Sequence, residues 1–511
     1  MVEGSAPSRL RVVIVGGGVG GLAAALALGR AGHAVTVLER DEPSTSDDPD
    51  AAFAAERRGA PQSHQTHGFL DRIVTVLRER FPHVLDDLRA IGCTELPAAL
   101  DLGEPQPGDD DLVVLTMRRT TFEMVLRQAV RREPSVEMHT GVGVAGLTAA
   151  SSDGATGTTF DPGSAADGGG PAPPRVDGVR LDDGTVVDAD VVVAATGRRD
   201  QVVPWLAAIG ADVAETVVPS GLVYLSRWYR LPPDDGFALD PKLGGDLGYL
   251  KYLGVPGDGG TLSITLAVRS SDGELRSALS DPARFEQACR LLPGPDQFFA
   301  RGPLVAIDGV RPMGGLVNRL RRFRSADRVP VALGFHAVGD AHTCTNPLYG
   351  RGCSLALVQA VLLADAIAGH PGDPTARATA YEDACRREVE PWYELAVQTD
   401  AAGSDPSGHD GRGELSPQAR AMAALFVAWA TDPVIGRALA RLWNLLALPA
   451  DLAADPVTAA RMLEVMSDPD AYPPPERVGP TRAELLAALA PPTAGTIPAD
   501  PLDDPEALTH G

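Results

Sequence analysis

Six residues, Gly16-Gly-Gly18-Val-Gly-Gly21, offer the first chemistry in this chain. A Val/Ile run precedes them, an Ala/Leu-rich run follows as far as Gly32, and residues 35–39 end on Glu39. The order is strand, glycine turn, helix, strand. Gly16 allows the tight turn, Gly18 lets the backbone approach a pyrophosphate, and Gly21 lets the helix pack closely on the strand. Phosphates would sit at the helix N-terminus, where free N–H groups and the helix dipole favour negative charge. Glu39, about 20 residues on, is placed to accept both hydroxyls of an adenosine ribose. Strand, helix, strand and acid in register point to a bound dinucleotide. The bland alternative is a structural βαβ unit with an empty turn.

A second segment runs Val338-Gly339-Asp340-Ala341, then Asn346-Pro347-Leu348-Tyr349-Gly350-Arg351-Gly352-Cys353-Ser354. A strand delivers Gly339-Asp340, a Pro/Gly loop follows, and a helix opens near Gly352. Such a helix start could set N–H groups against the N1–C2=O edge of a flavin, where charge gathers on reduction. Asp340 can accept from sugar-chain hydroxyls. Alone, the segment reads equally well as an ordinary strand–loop–helix corner. Together the two motifs resemble the FAD-dependent monooxygenases of the para-hydroxybenzoate hydroxylase-like flavoprotein superfamily. The resemblance runs from about residue 10 to 368.

It implies that Gly16, Gly18, Gly21 and Glu39, with Arg40 beside them, hold the ADP half of FAD. It further implies that Asp340 meets the ribityl and pyrophosphate region, and that Pro347, Gly352, Cys353 and Ser354 border the isoalloxazine. Arg119, in Arg119-Thr-Thr-Phe122-Glu123, matches an arginine at the start of a helix facing the FAD; its other reading is a helix-surface arginine. The stretch Gly59-Ala-Pro61-Gln62-Ser-His64-Gln-Thr-His67 resembles a segment near flavin and substrate in one branch of these proteins. That branch has an arginine where this chain has His64. His67 is the candidate pocket histidine, suited to proton transfer, or else a satisfied polar group at a helix start. Tyr349 is a second candidate catalytic residue.

One segment departs from the pattern. The family has Asp-Gly where this chain reads Ala195-Thr196-Gly197-Arg198-Arg199-Asp200. That position bears on FAD and nicotinamide recognition. Thr196 in place of that acid weakens direct use of NADPH or NADH as the electron donor; a separate flavin reductase could supply the electrons instead, or reduced flavin could arrive from elsewhere. Cys353 sits where a helix start could lower a thiol pKa; its bland reading, and that of Cys344, is a small packing residue.

Bulk properties bound the rest. With 511 residues and a net charge of −23, the chain is a poor partner for nucleic acid or an anionic membrane surface. Its five scattered cysteines include no CxxC pair, so neither a disulfide framework nor a metal site is expected. A reducing cytoplasm is the default location. No signal-type segment precedes the first strand, and no uncharged apolar run is long enough to span a bilayer.

The elements that must position these residues form an α/β fold. A Rossmann-like FAD-binding domain is interrupted by a mainly antiparallel β-sheet substrate domain and followed by a helical C-terminal extension. The expected boundaries are 10–204 for the first FAD-binding part, with a mobile insertion at 151–174. The substrate domain takes 205–324, the second FAD-binding part 325–370, the helical region 371–490, and a disordered tail 491–511. Periodicity predicts helices over 69–80, 120–132, 352–368, 421–430 and 435–448, and strands over 136–147, 191–195 and 331–338. Aromatics in the inserted sheet (Tyr224, Trp228, Tyr229, Tyr249, Tyr252, Phe298, Phe299) either roof a pocket or fill a core. The C-terminal helices could cap a large hydrophobic substrate, dimerise, or cover the sheet.

The resemblance implies a monooxygenase that inserts one oxygen atom from O2 into a hydrophobic or aromatic small molecule, by hydroxylation or epoxidation. The route would be a flavin C4a-hydroperoxide, and the setting secondary metabolism. An alkene reductase or saturase of the geranylgeranyl reductase type shares the Gly-Asp and Pro/Gly pattern and is the alternative. Further away lie a non-catalytic flavin-binding module and a halogenase. Halogenases carry an early lysine and a Trp-x-Trp-x-Ile-Pro segment; the only lysines here are Lys242 and Lys251, and no such tryptophan pair occurs.

Overall fold

Runs of valine and isoleucine, too apolar for a sheet with one wet face, make the centre of the molecule. The computed structural model describes residues 9–97, 102–150, 172–198, 201–232, 243–403, 417–473 and 478–490. Nearly all of the expected 151–174 insertion, Arg199 and Asp200, and the 491–511 tail lie outside the described residues. Five strands pair in the order Phe335–Ala337, Val191–Ala194, Arg11–Val15, Ala34–Glu39, Val136–Thr140, and every pairing is parallel. Parallel sheets need cover on both faces. Helices Val19–Arg30, Arg119–Arg131 and Gly352–Gly369 cover one face, and Trp205, Leu206 and a small antiparallel sheet cover the other. The glycine turn sits at the carboxyl end of the central strand, where open α/β sheets bind ligands.

Three boundaries differ from expectation. The strand expected over 136–147 is two: Val136–Thr140 ends at Gly141, whose φ is 73°, and Val144–Ala149 joins Val176–Leu181 in the small sheet. A left-handed residue turns the chain out of one sheet and into another. The strand expected over 331–338 shrinks to Phe335–Ala337. Gly334, at φ 72°, lies so close to the Val176 carbonyl that a Cβ would stand 2.5 Å from its oxygen. The helix expected over 435–448 ends at Trp443, because Leu445 takes a positive φ of 62°.

The second large sheet is antiparallel, with Thr261–Arg269 between Leu222–Arg230 and Leu250–Pro256. Alternation gives it two faces. Leu225, Ile264 and Leu266 point to a core shared with helices Gly273–Leu279, Pro282–Cys289 and Pro295–Ala300. Tyr224, Thr265 and Ala267 face the cavity described below. Strand alternation gave no sign of those three helices. The aromatics divide accordingly: Tyr224 and Tyr252 reach the cavity, whereas Tyr229, Phe298 and Phe299 are buried against the helices.

Asp-Pro pairs start several helices, the aspartate capping two free N–H groups and the proline occupying the first turn. Asp373 and Asp432 do this before Pro374–Glu388 and Pro433–Trp443, while Asp455 caps one N–H, that of Thr458, before Pro456–Ser467. The last described helix, Arg482–Leu489, returns to the antiparallel sheet, burying Leu485 and Leu489 in its core. Gly352–Gly369 is long and apolar enough to cross a membrane, but it is mostly buried inside the fold.

Candidate active site

One continuous cavity of about 1510 Å³ links the glycine turn, Asp340, the 347–353 loop, the sheet face and the C-terminal helices. The turn is built as its residue types require. Gly16 has φ 112°, and a Cβ there would stand 2.4 Å from the Ala195 oxygen. At Gly21 a Cβ would be 1.8 Å from the Gly16 oxygen, so the helix can pack only on glycine. Gly18 lines the cavity and has nothing closer than Glu123 Oε1 at 3.9 Å. Space is left where a phosphate would approach.

Glu39 lines the cavity but is already engaged. Its Oε2 accepts from the Gly17 N–H at 2.7 Å and its Oε1 from the Asp41 N–H at 2.9 Å. A carboxylate has about four acceptor positions, so ribose hydroxyls can still be served. Arg40, on the same wall, is partly exposed and 3.9 Å from Asp41. Sequence reasoning missed Arg57. This buried guanidinium reaches Glu39 at 3.4 Å, Asp41 at 3.3 Å and Glu123 at 2.8 Å. Arg119 donates to Glu123 Oε1 at 2.9 Å, one helical turn on, and faces the cavity. Burial alone would raise the Glu123 carboxyl, but Arg57, Arg119 and Arg127 outweigh it and hold it at about 2. Arg57, Arg119 and Arg127 thus converge on Glu123 beside the glycine turn, with Arg119 also lining the cavity.

Asp340 lines the cavity, and Gly339 beside it donates to the buried Gln359 at 2.7 Å, which pins the strand end to the Gly352–Gly369 helix. Pro347, Gly352 and Cys353 line the same wall. Ser354 does not: it is fully buried on the helix, between the lining residues Cys353 and Ala356. At Cys353 the packing reading, rather than a lowered thiol pKa, fits the surroundings. Burial pushes this thiol up to about 11, with Arg119 only partly opposing, which leaves a neutral packing residue. Two cavity-lining residues, Thr196 and Thr345, have buried Oγ1 atoms with no partner, which a bound ligand could satisfy. The residues present therefore fit a flavin dinucleotide.

His67 also faces the cavity. Its Nδ1–H donates to the Gln65 carbonyl at 2.9 Å, and burial, with the charge of Arg119, lowers its pKa to about 4. A neutral ring with Nε2 free to accept is the result. His64 instead donates Nε2–H to the Phe53 carbonyl at 2.8 Å and packs edge-on against that ring, a structural anchor away from the cavity.

Tyr349 donates its hydroxyl to Asp400 at 2.6 Å, and burial raises its pKa well above that of a free phenol. Asp400, on helix Glu390–Gly403, was missed by the sequence because it lies far from the loop it serves. Its carboxylate also accepts from Asn318 at 2.7 Å and Asn346 at 2.9 Å. Asn346 accepts from Tyr224 at 2.6 Å, so sheet, loop and C-terminal helix meet in one buried network.

Residues 11–80 match the family model of FAD dependent oxidoreductases. A kynurenine 3-monooxygenase of Salinispora arenicola is 27% identical over 411 residues, which are 76% of this chain and 79% of the relative. The p-nitrophenol 4-monooxygenase PnpA of Pseudomonas putida superposes with a TM-score of 0.57 at 21% identity, over 86% of this chain and 98% of its own. PqsL of Pseudomonas aeruginosa, described as a probable FAD-dependent monooxygenase, gives 0.53 at 20% identity over 78% and 95%. Residues 11–80 are thus similar to FAD dependent oxidoreductases, and the overall fold is similar to the folds of PnpA and PqsL.

Proposed function

We propose that this protein is an FAD-dependent monooxygenase that inserts one atom of O2 into a hydrophobic or aromatic small molecule, by hydroxylation or epoxidation, in secondary metabolism. One observation carries this reading: the wall that bears the glycine turn, Thr196 and Asp340 (the cofactor strip) shares one cavity with the rings of Tyr349, Trp429 and Trp443. Bound FAD would supply the two electrons and the oxygen-activating chemistry, by the route that the resemblance implies.

The chain's own residues supply the rest. Gly16, Gly18 and Glu39 would hold the adenosine and pyrophosphate, and Asp340 the ribityl chain. Arg119 would place positive charge near the cofactor, tied down by Glu123. Neutral His67 would accept a proton or hydrogen bond from a substrate hydroxyl through Nε2. Tyr349 is a wall rather than an acid, its proton committed to Asp400. Apolar lining keeps water from the reacting centre. NADPH or NADH would deliver electrons, directly or through a separate reductase, in a cytoplasmic setting that suits the unpaired cysteines.

The test starts with the absorbance spectrum of the purified protein, then follows isotope-labelled O2 into a phenolic product. Stoichiometric FAD with label in the product supports the reading. Bound FAD that reduces an alkene anaerobically, with no oxygen incorporated, would replace it with the reductase alternative.

A further inference from the structure

We infer that the sheet side of the cavity holds its ligand by a neutral hydrogen-bond donor, an N–H or O–H group, offered to Thr66 and Thr265. On the monooxygenase reading that ligand is the substrate, so the inference rests on the proposed function and narrows it. The segment that carries Thr66 is docked on the antiparallel sheet residue by residue. Trp228 Nε1–H donates to the His64 carbonyl at 2.9 Å, and Ser226 meets Gln65 at 2.6 Å. Thr66 meets Thr265 at 2.6 Å and also Ser263. Ser226 stands opposite Thr265 in the strand pairing, their hydroxyl oxygens 2.5 Å apart, and Trp228 stands opposite Ser263. Alternation puts these four sheet residues on one face. Ser226 and Ser263 are fully buried beneath the docked segment, whereas Thr66 and Thr265 line the cavity.

The protons of this hydroxyl row can be placed in one way. Gln65 Nε2–H donates to the Arg311 carbonyl at 3.2 Å, so Gln65 Oε1 is the atom turned to Ser226. A carbonyl oxygen cannot donate, hence the Ser226 hydroxyl does. Ser226 has no second proton, so Thr265 donates to Ser226, Thr66 to Thr265, and Ser263 to Thr66. Every hydroxyl proton of the row is committed inside the protein. A hydroxyl oxygen has two acceptor positions, and Thr66 and Thr265 each have one left. Toward the cavity the two threonines are therefore acceptors and nothing else. His67, the next residue, agrees with them, since its Nδ1–H is spent on the Gln65 carbonyl.

The surroundings sharpen the choice. Leu253 is the partner of Thr265 on the neighbouring strand, Val255 is that of Ser263, and both line the cavity with Ala267 and Met313. A ligand carbonyl or ether laid on the threonines would give up its hydrogen bonds to water and gain none, whereas an N–H or O–H group recovers its own. Tyr224, opposite Ala267, spends its hydroxyl on Asn346 at 2.6 Å and so adds no competing donor. Lys251, also opposite Ala267, is paired with Asp246, and its charge makes neutral probes the ones that read the threonines.

Equilibrium dialysis of the purified protein, supplied with FAD, tests this without turnover. The probes are two neutral pairs: naphthol against methoxynaphthalene, and naphthylamine against its N,N-dimethyl derivative. Methylation removes the donor and keeps the rings. In at least one pair the donor should bind about tenfold more tightly or better, the first pair assigning O–H and the second N–H. Thr265→Val keeps the shape and should shrink that preference to about threefold or less. Ser226→Ala lies outside the cavity and frees the Thr265 proton, so methoxynaphthalene should bind more tightly than before. A merely structural role for Ser226 would weaken all probes alike, and that result would overturn the one-way row. Equal binding within both pairs, no binding of any probe, or a full preference retained in Thr265→Val would overturn the inference as well. The probe pairs on the unaltered protein decide the matter even if neither variant folds. Flavin absorbance of the same samples separates the two readings. Bound FAD without a donor preference loses this inference alone, and a donor preference without FAD loses the monooxygenase.

Discussion

At the scale of single residues, the glycine turn makes two separable demands. Gly16 is required by backbone conformation and contact together, so Gly16→Ala should cost more than about 1 kcal/mol and lower the melting temperature. Gly18 faces open space, so Gly18→Val should fold as before yet retain little FAD, read as flavin absorbance per protein. Full FAD occupancy in Gly18→Val would remove the turn from the cofactor site. Asp71 makes a different demand. It is fully buried with both carboxylate oxygens unpartnered, and burial pushes its pKa up to about 8. The folded chain then keeps a proton that the unfolded chain releases, so this residue costs stability increasingly from about pH 4 to about pH 8. Asp71→Asn should raise the melting temperature at pH 8 and leave it little changed at pH 4. An equal shift at both values would show that the carboxyl does not titrate in the fold. The glycines and Glu39 were legible because their signal is local, within one βαβ unit. Arg57 and Asp400 were not, since each acts on residues brought near only by folding.

At the scale of elements, legibility followed how locally an element is specified. The helix Arg119–Arg131 and the inner strands Arg11–Val15, Ala34–Glu39 and Val191–Ala194 were read nearly to the residue, because their apolar patterns are strong. The misread boundaries at Gly141, Gly334 and Leu445 are left-handed residues, which break an element without interrupting its apolar pattern. The C-terminal hairpin offers a direct test. Asp432 caps Pro433–Trp443 through two backbone N–H groups and also pairs with Arg461. Asp432→Ala should cost about 1 kcal/mol or more, and amide exchange should quicken in 433–443 while FAD content stays constant. Unchanged exchange in that helix would mean that packing, with Gly436 tucked under Trp429, holds the hairpin without its cap.

At the scale of the whole molecule, the question is whether the C-terminal helices are an appendage or part of the catalytic body. The sequence left this open, since the superfamily resemblance stops near residue 368. Geometry favours the second view. Helix Glu390–Gly403 sends Asp400 into a network with Asn318, Asn346 and Tyr349, so the loop bordering the cofactor strip is fixed by a residue beyond the resemblance. Removing one partner from a buried network strands the others without bonds, at about 1–3 kcal/mol for each orphaned group. Asp400→Leu should therefore lower the melting temperature and release FAD at a lower temperature than the unaltered protein, followed by the rise in flavin fluorescence. Asp400→Asn keeps the shape and two acceptor positions but not the charge, so it should fall between the two. If Asp400→Leu unfolds and releases FAD at the same temperatures as the unaltered protein, the network is ornamental and the helices only cover the sheet. If FAD is released well before global unfolding, the loop is the part that loosens, and the C-terminal region belongs to the cofactor site.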